Sequence, residues 1–337
     1  MAYYFELPSI GSLNPNQRLA VDEDEPVALS GAPGTGKTVV SLWRHINNHG
    51  ANGINSLLLT YTKTLEYYLK GTAKTKSQSA AQNINRTLNW VHNHNGEQYD
   101  EIIIDEAQDV TYNHYNTISR HTERVSFGAD DAQQVFNGCK YESLIDKFSN
   151  NEEYDLEINY RNSREIIEFV RAVFPNIYID TDVINSAVNT GIRPAMIELG
   201  FGNFHDEAVD SIISIVEQFP QPTHNIGVLV ISANQVIKFY NSLRNRITCS
   251  RYHSKMDAFE VLERIHISTF KSAKGLEFDT VIIPNFDSFD HFISDPKYKG
   301  QFSKNDYYVG LTRAKRNLFL LCKNMFDMNN YDTIDIR

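Results

Sequence analysis

The octapeptide Gly31-Ala32-Pro33-Gly34-Thr35-Gly36-Lys37-Thr38 constrains this chain more than any other feature, because it lies between the apolar run Val27-Ala28-Leu29 and a stretch of helical character. A strand, a glycine-rich turn and a helix must follow one another here. The glycines let the backbone turn with its N–H groups aimed inward, and the helix presents its positive end to the same point. Nucleotide phosphates suit such a cradle. Gly31, Gly34, Thr35 and Gly36 would line it, Lys37 would reach the β- and γ-phosphates, and Thr38 would hold Mg2+.

Short apolar runs recur at 27–29, 56–59, 101–104, 125–127, 227–231, 280–283 and 318–321. Runs of this kind are strands covered on both faces. The segments between many of them have helical period, as in 207–219, where Ile212, Ile213, Ile215, Val216 and Phe219 share an inner side. Their alternation predicts a parallel α/β sheet. At 337 residues the chain is long enough for two domains, each with its own core. The polar segment Ser149-Asn150-Asn151-Glu152-Glu153 predicts a boundary dividing it into 1–150 and 151–337.

Composition narrows the partners. With 32 Lys+Arg against 42 Asp+Glu the formal net charge is −10, so a nucleic acid would have to meet a local basic path and not a generally basic surface. Cys139, Cys249 and Cys322 are widely spaced with no C-x-x-C pair. Neither a disulfide framework nor a zinc site is expected, and a reducing cytoplasm fits. No run approaches the ~18 apolar residues of a membrane span, so no membrane partner is expected. The acidic run Asp22-Glu23-Asp24-Glu25 reads as a solvated turn before the first strand.

The segment Tyr99-Asp100-Glu101-Ile102-Ile103-Ile104-Asp105-Glu106 is an apolar strand ending in two carboxylates. Paired with a phosphate cradle, Asp105 supports Mg2+ through water while Glu106 orients or deprotonates the attacking water. Hydrolysis, and not binding alone, is the expectation.

Continued as Asp105-Glu106-Ala107-Gln108-Asp109, this strand end resembles the second motif of superfamily 1 helicases of the UvrD/Rep type, and the family's other motifs follow in order. Leu13-Asn14-Pro15-Asn16-Gln17 is similar to the Q-motif, which implies that the Gln17 amide pairs with an adenine edge and that the nucleotide is ATP. Leu57-Leu58-Leu59-Thr60-Tyr61-Thr62-Lys63 is similar to motif Ia, and Thr87-Leu88-Asn89-Trp90 is a weaker match to the T-x-H-S segment. Gly128-Ala129-Asp130-Asp131-Ala132-Gln133-Gln134-Val135-Phe136 resembles motif III, implying Gln133 as a γ-phosphate sensor. Asn159-Tyr160-Arg161 matches motif IV, implying Tyr160 stacked on adenine and Arg161 at the γ-phosphate. Residues 269–278 resemble motif V, with Gly275 at the nucleotide and Glu277 near the ribose. Val309-Gly310-Leu311-Thr312-Arg313-Ala314-Lys315 resembles motif VI, implying Arg313 as a second arginine finger. The resemblance implies an α/β fold of two RecA-like P-loop NTPase domains with parallel sheets, hydrolysing ATP with Mg2+. Arginines from a second domain suit the charge that accumulates in phosphoryl transfer. Taken singly, Arg161 and Arg313 suit a surface salt bridge equally well.

Three features depart from the family pattern. The stretches between motif Ia and Asp105, and between 227–231 and Thr269, are too short for the inserted domains of the larger helicases. Glycine, as Gly138, stands where relatives carry a tryptophan after motif III, and Lys271 stands where motif V usually has histidine. Single-stranded DNA would then rest on Tyr61 and Phe136, each stack being worth roughly 1–3 kcal/mol, with Lys63 and Lys271 on phosphates. Lys70, Lys74 and Lys76, near Tyr67 and Tyr68, are further candidates. Tyr61 and Phe136 suit core positions as well, and the lysines suit a solvated loop. Two functions stay open on this reading. One is an ATP-driven translocase on nucleic acid, chiefly single-stranded DNA, with weak unwinding. The other is a regulatory ATPase subunit acting on a partner such as a nuclease in a bacterial phage-defence or DNA-repair module.

Overall fold

The computed structural model describes residues 2–4, 6–50, 53–200, 202–256, 261–298, 301–324 and 331–337. They form two compact units, Phe5–Tyr160, and Arg161–Arg337 together with Met1–Tyr4.

The first unit is built on strands β1 (Val27–Ser30), β2 (Ser56–Thr60), β3 (Ile84–Arg86), β4 (Glu101–Asp105), β5 (Val125–Gly128) and β6 (Glu152–Asp155). They lie in the order β3-β2-β4-β5-β1-β6, and every pairing is parallel. Strands β2, β4 and β5 are buried along their whole length, which is why they read as continuous apolar runs and not as alternating ones. The pleat sends Val27, Leu29, Leu58 and Ile103 to one face. There they meet Trp43 and Ile46 of a helix that follows the glycine-rich turn, and Leu65 and Leu69 of the helix after β2. Ala28, Leu57, Leu59, Ile102, Ile104 and Phe127 go to the other face, against Tyr115 and Ile118. Each fully buried aliphatic side chain of this kind contributes about 1.5–3 kcal/mol. The helices that matter for the site are α1 (Pro15–Asp22), α2 (Lys37–His49) and α3 (Lys63–Lys74).

The second unit carries β7 (Ala195–Glu198), β8 (Ile226–Val230), β9 (Ser250–Tyr252), β10 (Ile265–Thr269), β11 (Phe278–Pro284), β12 (Ala314–Cys322) and β13 (Asp335–Ile336). Their order is β13-β7-β12-β11-β8-β10-β9, again parallel at every pairing. Helices Phe204–Glu217 and Ala233–Leu243 cover it with Ile212, Val216, Val236 and Phe239. Two parallel α/β sheets of this kind are RecA-like domains.

Every apolar run read from the sequence falls on a strand. The expected boundary after residue 150 does not hold, because β6 pairs along its full length with β1, from Val27↔Glu152 to Ser30↔Asp155. An edge strand exposes one side of its ladder and tolerates polar residues, so Glu152 and Glu153, expected to open the second domain, close the first. Between β2 and β4 the chain folds only as α3, two short helices and β3, and between β8 and β10 only as one helix and β9 among the described residues. No inserted domain interrupts either described stretch.

One backbone device appears in both units. After β4, Glu106 takes φ 60° and a 3-10 turn, Ala107–Asp109, follows. After β11, Asn285 takes φ 58°, followed by the 3-10 turn Phe286–Ser288.

Candidate functional site

In the first unit the expected nucleotide residues gather at the carboxyl ends of three adjacent strands. The glycine-rich turn follows β1, Asp105 ends β4, and Asp130 follows β5, with Leu29 and Asp105 both in register with Gly128. Carboxyl ends at the centre of a parallel sheet are where ligands of α/β folds bind. Gly36 caps α2 at φ 95°, and a Cβ there would stand 2.4 Å from Nε2 of Gln17, so only glycine fits. Lys37 Nζ donates to the carbonyls of Gly31 at 2.5 Å and Ala32 at 3.1 Å and lies 3.8 Å from Asp130 Oδ2. Thr35 is buried, its hydroxyl bonded to Ala32 O at 2.9 Å.

Asp105 is 2% exposed. Burial and then the Glu106 carboxylate push its carboxyl up to about 7, against a hydrogen bond from Thr38 and the charge of Lys37. Its Oδ2 has no hydrogen-bond partner among the described residues. A buried, partnerless carboxylate oxygen beside a threonine hydroxyl fits a hard, oxygen-seeking cation such as Mg2+. Glu106 sits in the left-handed region, uncommon for any residue but glycine and asparagine and costing on the order of 1 kcal/mol. Its Oε2 accepts from Gln108 Nε2 at 2.7 Å, and Gln108 Oε1 accepts from Asp130 N at 3.1 Å. Gln108 thus links the Glu106 carboxylate to the loop of Asp130. Gln133 donates to Asp130 Oδ2 at 2.7 Å.

Gln17 is engaged at both ends of its amide. Oε1 accepts from Asn14 N at 3.0 Å in the capping box of α1, and Nε2 donates to Thr35 O at 2.9 Å. It clamps the glycine-rich turn to α1, a role the implied adenine contact did not include. Asn159 does the same from the opposite end of the unit, donating to Pro33 O at 2.6 Å. Tyr160 N reaches Gly34 O at 2.9 Å, and the Tyr160 ring is half exposed with its hydroxyl accepting from Asn14 Nδ2 at 2.9 Å.

The second unit brings Arg161, Glu277, Arg313 and Lys315 together before the amino ends of β11 and β12. Arg161 Nε and Nη2 lie 2.6 and 2.5 Å from Glu277 Oε1, and Lys315 Nζ lies 3.5 Å from Oε2. Burial works against the Glu277 charge, but Arg161, Lys315 and Arg313 outweigh it and hold the carboxyl down at about 2. The residue expected at a ribose is therefore the anchor of the residue expected at a γ-phosphate. Arg313 is fully buried, with Nε donating to Val309 O at 3.1 Å. Gly275 turns at φ 85° just before this cluster.

The residues expected on nucleic acid are differently placed. Tyr61 and Phe136 pack ring against ring at a tilt of 37°, centroids 4.6 Å apart, and Tyr61 packs against the core of the first unit. Lys271 Nζ donates to Gln301 O at 3.0 Å and lies 3.8 Å from the buried Asp306 carboxylate. Lys63 opens α3, and Lys70 and Lys74 lie along that helix, not in a loop; Lys70 pairs with Glu66 at 2.6 Å. Gly138 has a packing reason: a Cβ there would lie 2.1 Å from Gln108 O and 2.6 Å from Asp109 C. No tryptophan can occupy that position in this backbone. Among the described residues no helix is long and apolar enough to cross a membrane.

Two family models match the sequence. The UvrD-like helicase C-terminal domain covers residues 249–324, and the Schlafen group 3 DNA/RNA helicase domain covers residues 26–186. Over the matched residues the chain is that of a superfamily 1 helicase-like protein. No curated protein matches it. Among solved structures this helicase-like protein is similar to the PRRSV helicase, at 17% identity and TM-score 0.46 over 92% of this chain and 56% of that one. It is similar to arterivirus nonstructural protein 10, a helicase, at 14% identity and TM-score 0.46 over 94% and 63%. The C-terminal domain of a possible DNA helicase from Lactobacillus plantarum WCFS1 gives 16% identity and TM-score 0.37 over 52% and 98%. The helicase-like protein thus spans little more than half of the PRRSV helicase chain.

Proposed function

We propose that this chain hydrolyses ATP with Mg2+ and uses the cycle to move along nucleic acid, single-stranded DNA above all. The observation that carries the reading is the grouping of Lys37, Thr38 and the partnerless Oδ2 of Asp105 at one strand-end cradle. Thr38 and Asp105 would hold the cation, whose charge would offset that of the β- and γ-phosphates. Glu106, held by Gln108, takes the proton of the attacking water, and Arg161 and Arg313 supply positive charge where the transition state accumulates negative charge.

Turnover measured with no polymer, single-stranded DNA, single-stranded RNA and duplex tests this reading. Single-stranded DNA is expected to stimulate most. Glu106→Gln is expected to keep nucleotide affinity and lose about 100-fold or more in turnover, since the cradle remains while the water loses its base. Undiminished hydrolysis in that variant refutes the assignment. The mutual ring contact of Tyr61 and Phe136 and the Asp306 beside Lys271 favour a second reading, a regulatory ATPase subunit for a partner such as a nuclease. Turnover indifferent to every polymer but raised by such a partner selects it.

A further inference from the structure

Residues 2–4 belong to the second unit although the first unit follows them directly in the chain. They are built in by hydrogen bonds. Ala2 forms an antiparallel bridge with Glu263, Tyr3 N donates to Leu262 O at 2.8 Å, and the Asn225 side chain takes both the N–H and the C=O of Tyr4, at 3.0 and 2.9 Å. Tyr3 is 4% exposed, with its ring meeting Phe278 edge-on at 5.9 Å. Its hydroxyl accepts the Glu277 N–H at 3.1 Å and donates to the carbonyl of the same residue. One hydroxyl therefore holds both backbone polar groups of Glu277, immediately before β11. The carboxylate of that residue holds the Arg161 guanidinium through two nitrogens.

We propose that Tyr3 is a positioning residue for Arg161, acting through Glu277. The inference rests on the reading of Arg161 as a phosphoryl-transfer group. A carboxylate aims its arginine only as well as its own backbone is fixed, and misplacement of about 1 Å at such a group lowers turnover on the order of 100-fold. Removing the hydroxyl leaves two buried backbone groups against a phenyl edge without their partner, so the turn shifts to satisfy them. The proposed effect is on the aim of a group needed in the transition state, so kcat and not nucleotide affinity carries it.

The test uses the full chain and Tyr3→Phe, which keeps the ring against Phe278. The Arg161 Nε–H resonance, assigned by its loss in Arg161→Lys, is followed by NMR. In Tyr3→Phe it is expected to exchange with water about tenfold faster. In steady-state turnover kcat is expected to fall about tenfold with KM within about twofold. In an Arg161→Ala background Tyr3→Phe is expected to cause no further loss. Asn225→Ser, which loosens the same segment one residue on, is expected to reproduce the pattern more weakly, and decides the matter if Tyr3→Phe fails to fold. An unchanged Arg161 resonance and exchange rate overturns the proposal whatever turnover does, and so do kcat losses that multiply in the double variant. A wild-type chain that turns over no nucleotide refutes the proposed function instead, and the exchange measurement still decides the role of Tyr3.

Discussion

Asp105→Asn is expected to stabilise the first unit at pH 8 in the absence of metal while abolishing turnover. Asp105 is buried next to Glu106, and its carboxyl stands at about 7 instead of the ordinary 3.8. A raised carboxyl binds its proton more tightly in the folded state. Its stability contribution is therefore fully present below about pH 4 and is lost as pH rises through 7. At about 1.36 kcal/mol per pH unit, the ionised form withholds on the order of 4 kcal/mol at pH 8. Glu106 carries part of the same repulsion, so removing one carboxylate recovers about half, near 2 kcal/mol. For a unit of this size that raises the melting temperature by about 4–8 °C. The gain shrinks to less than half at pH 5, where most of the penalty has not developed. Both tryptophans, Trp43 and Trp90, lie in the first unit, so tryptophan emission in EDTA follows its unfolding alone. Mg2+ with nucleotide should raise the transition of the wild type and not of the variant. An asparagine variant that melts below the wild type at pH 8, or gains equally at both pH values, refutes the reasoning.

Other substitutions separate scaffold from chemistry. Arg44→Ala removes the partner of Glu101, at 2.7 Å with both side chains almost fully buried, and is expected to destabilise the first unit by about 3–5 kcal/mol, read by the same emission. Gly138→Ala drives a Cβ into the backbone of Gln108 and Asp109 and is expected to cost about 1–3 kcal/mol and to lower turnover by displacing the turn that carries Glu106; wild-type melting and turnover would contradict this. Gln17→Ala loosens the turn it clamps at Thr35 O and is expected to weaken ATP and GTP about tenfold alike, whereas a change in their ratio would return Gln17 to an adenine contact.

The central strands were legible in the sequence and the edges were not. β4 reads as Glu-Ile-Ile-Ile-Asp because a parallel strand covered on both faces must be apolar at every interior position. β6 reads Glu-Glu-Tyr-Asp and looks like a linker, because three of its four residues are exposed and only its backbone ladder to β1 makes it a strand. The same contrast separates the two kinds of site residue. The glycine-rich turn announces itself since a phosphate there would be met by contiguous backbone. The partners of Arg161, Lys271 and Gln17 are Glu277, Asp306 and Thr35, and only folding brings those together. Tyr61 and Phe136 lie far apart in sequence and meet ring to ring, a contact that no local pattern encodes. The acidic run was read as a solvated turn, yet the carbonyls of Glu23 and Glu25 accept from buried Arg44 at 2.5 and 2.9 Å. Its carboxylates bind as well, Glu25 pairing with Arg124 at 3.3 Å and Glu23 accepting from the Tyr154 hydroxyl at 2.8 Å.

The repeated strand end explains how one backbone serves two tasks. In both units a central strand is followed by a left-handed residue and a 3-10 turn closed between that residue's carbonyl and the N–H three positions on, at 3.1 Å in each case. Asparagine enters the left-handed region readily because its short side chain bonds locally, and the second unit uses Asn285 there. Glutamate has no such ease, yet the first unit uses Glu106 and supports it with Gln108, whose far end is bonded to Asp130 N. A residue that adopts an unfavourable backbone where a cheaper one serves in the duplicate position is kept for its side chain, and the side chain here is a carboxylate beside a second one that burial has made reluctant to ionise. That combination destabilises the empty cradle, and a cation bound there would relieve it.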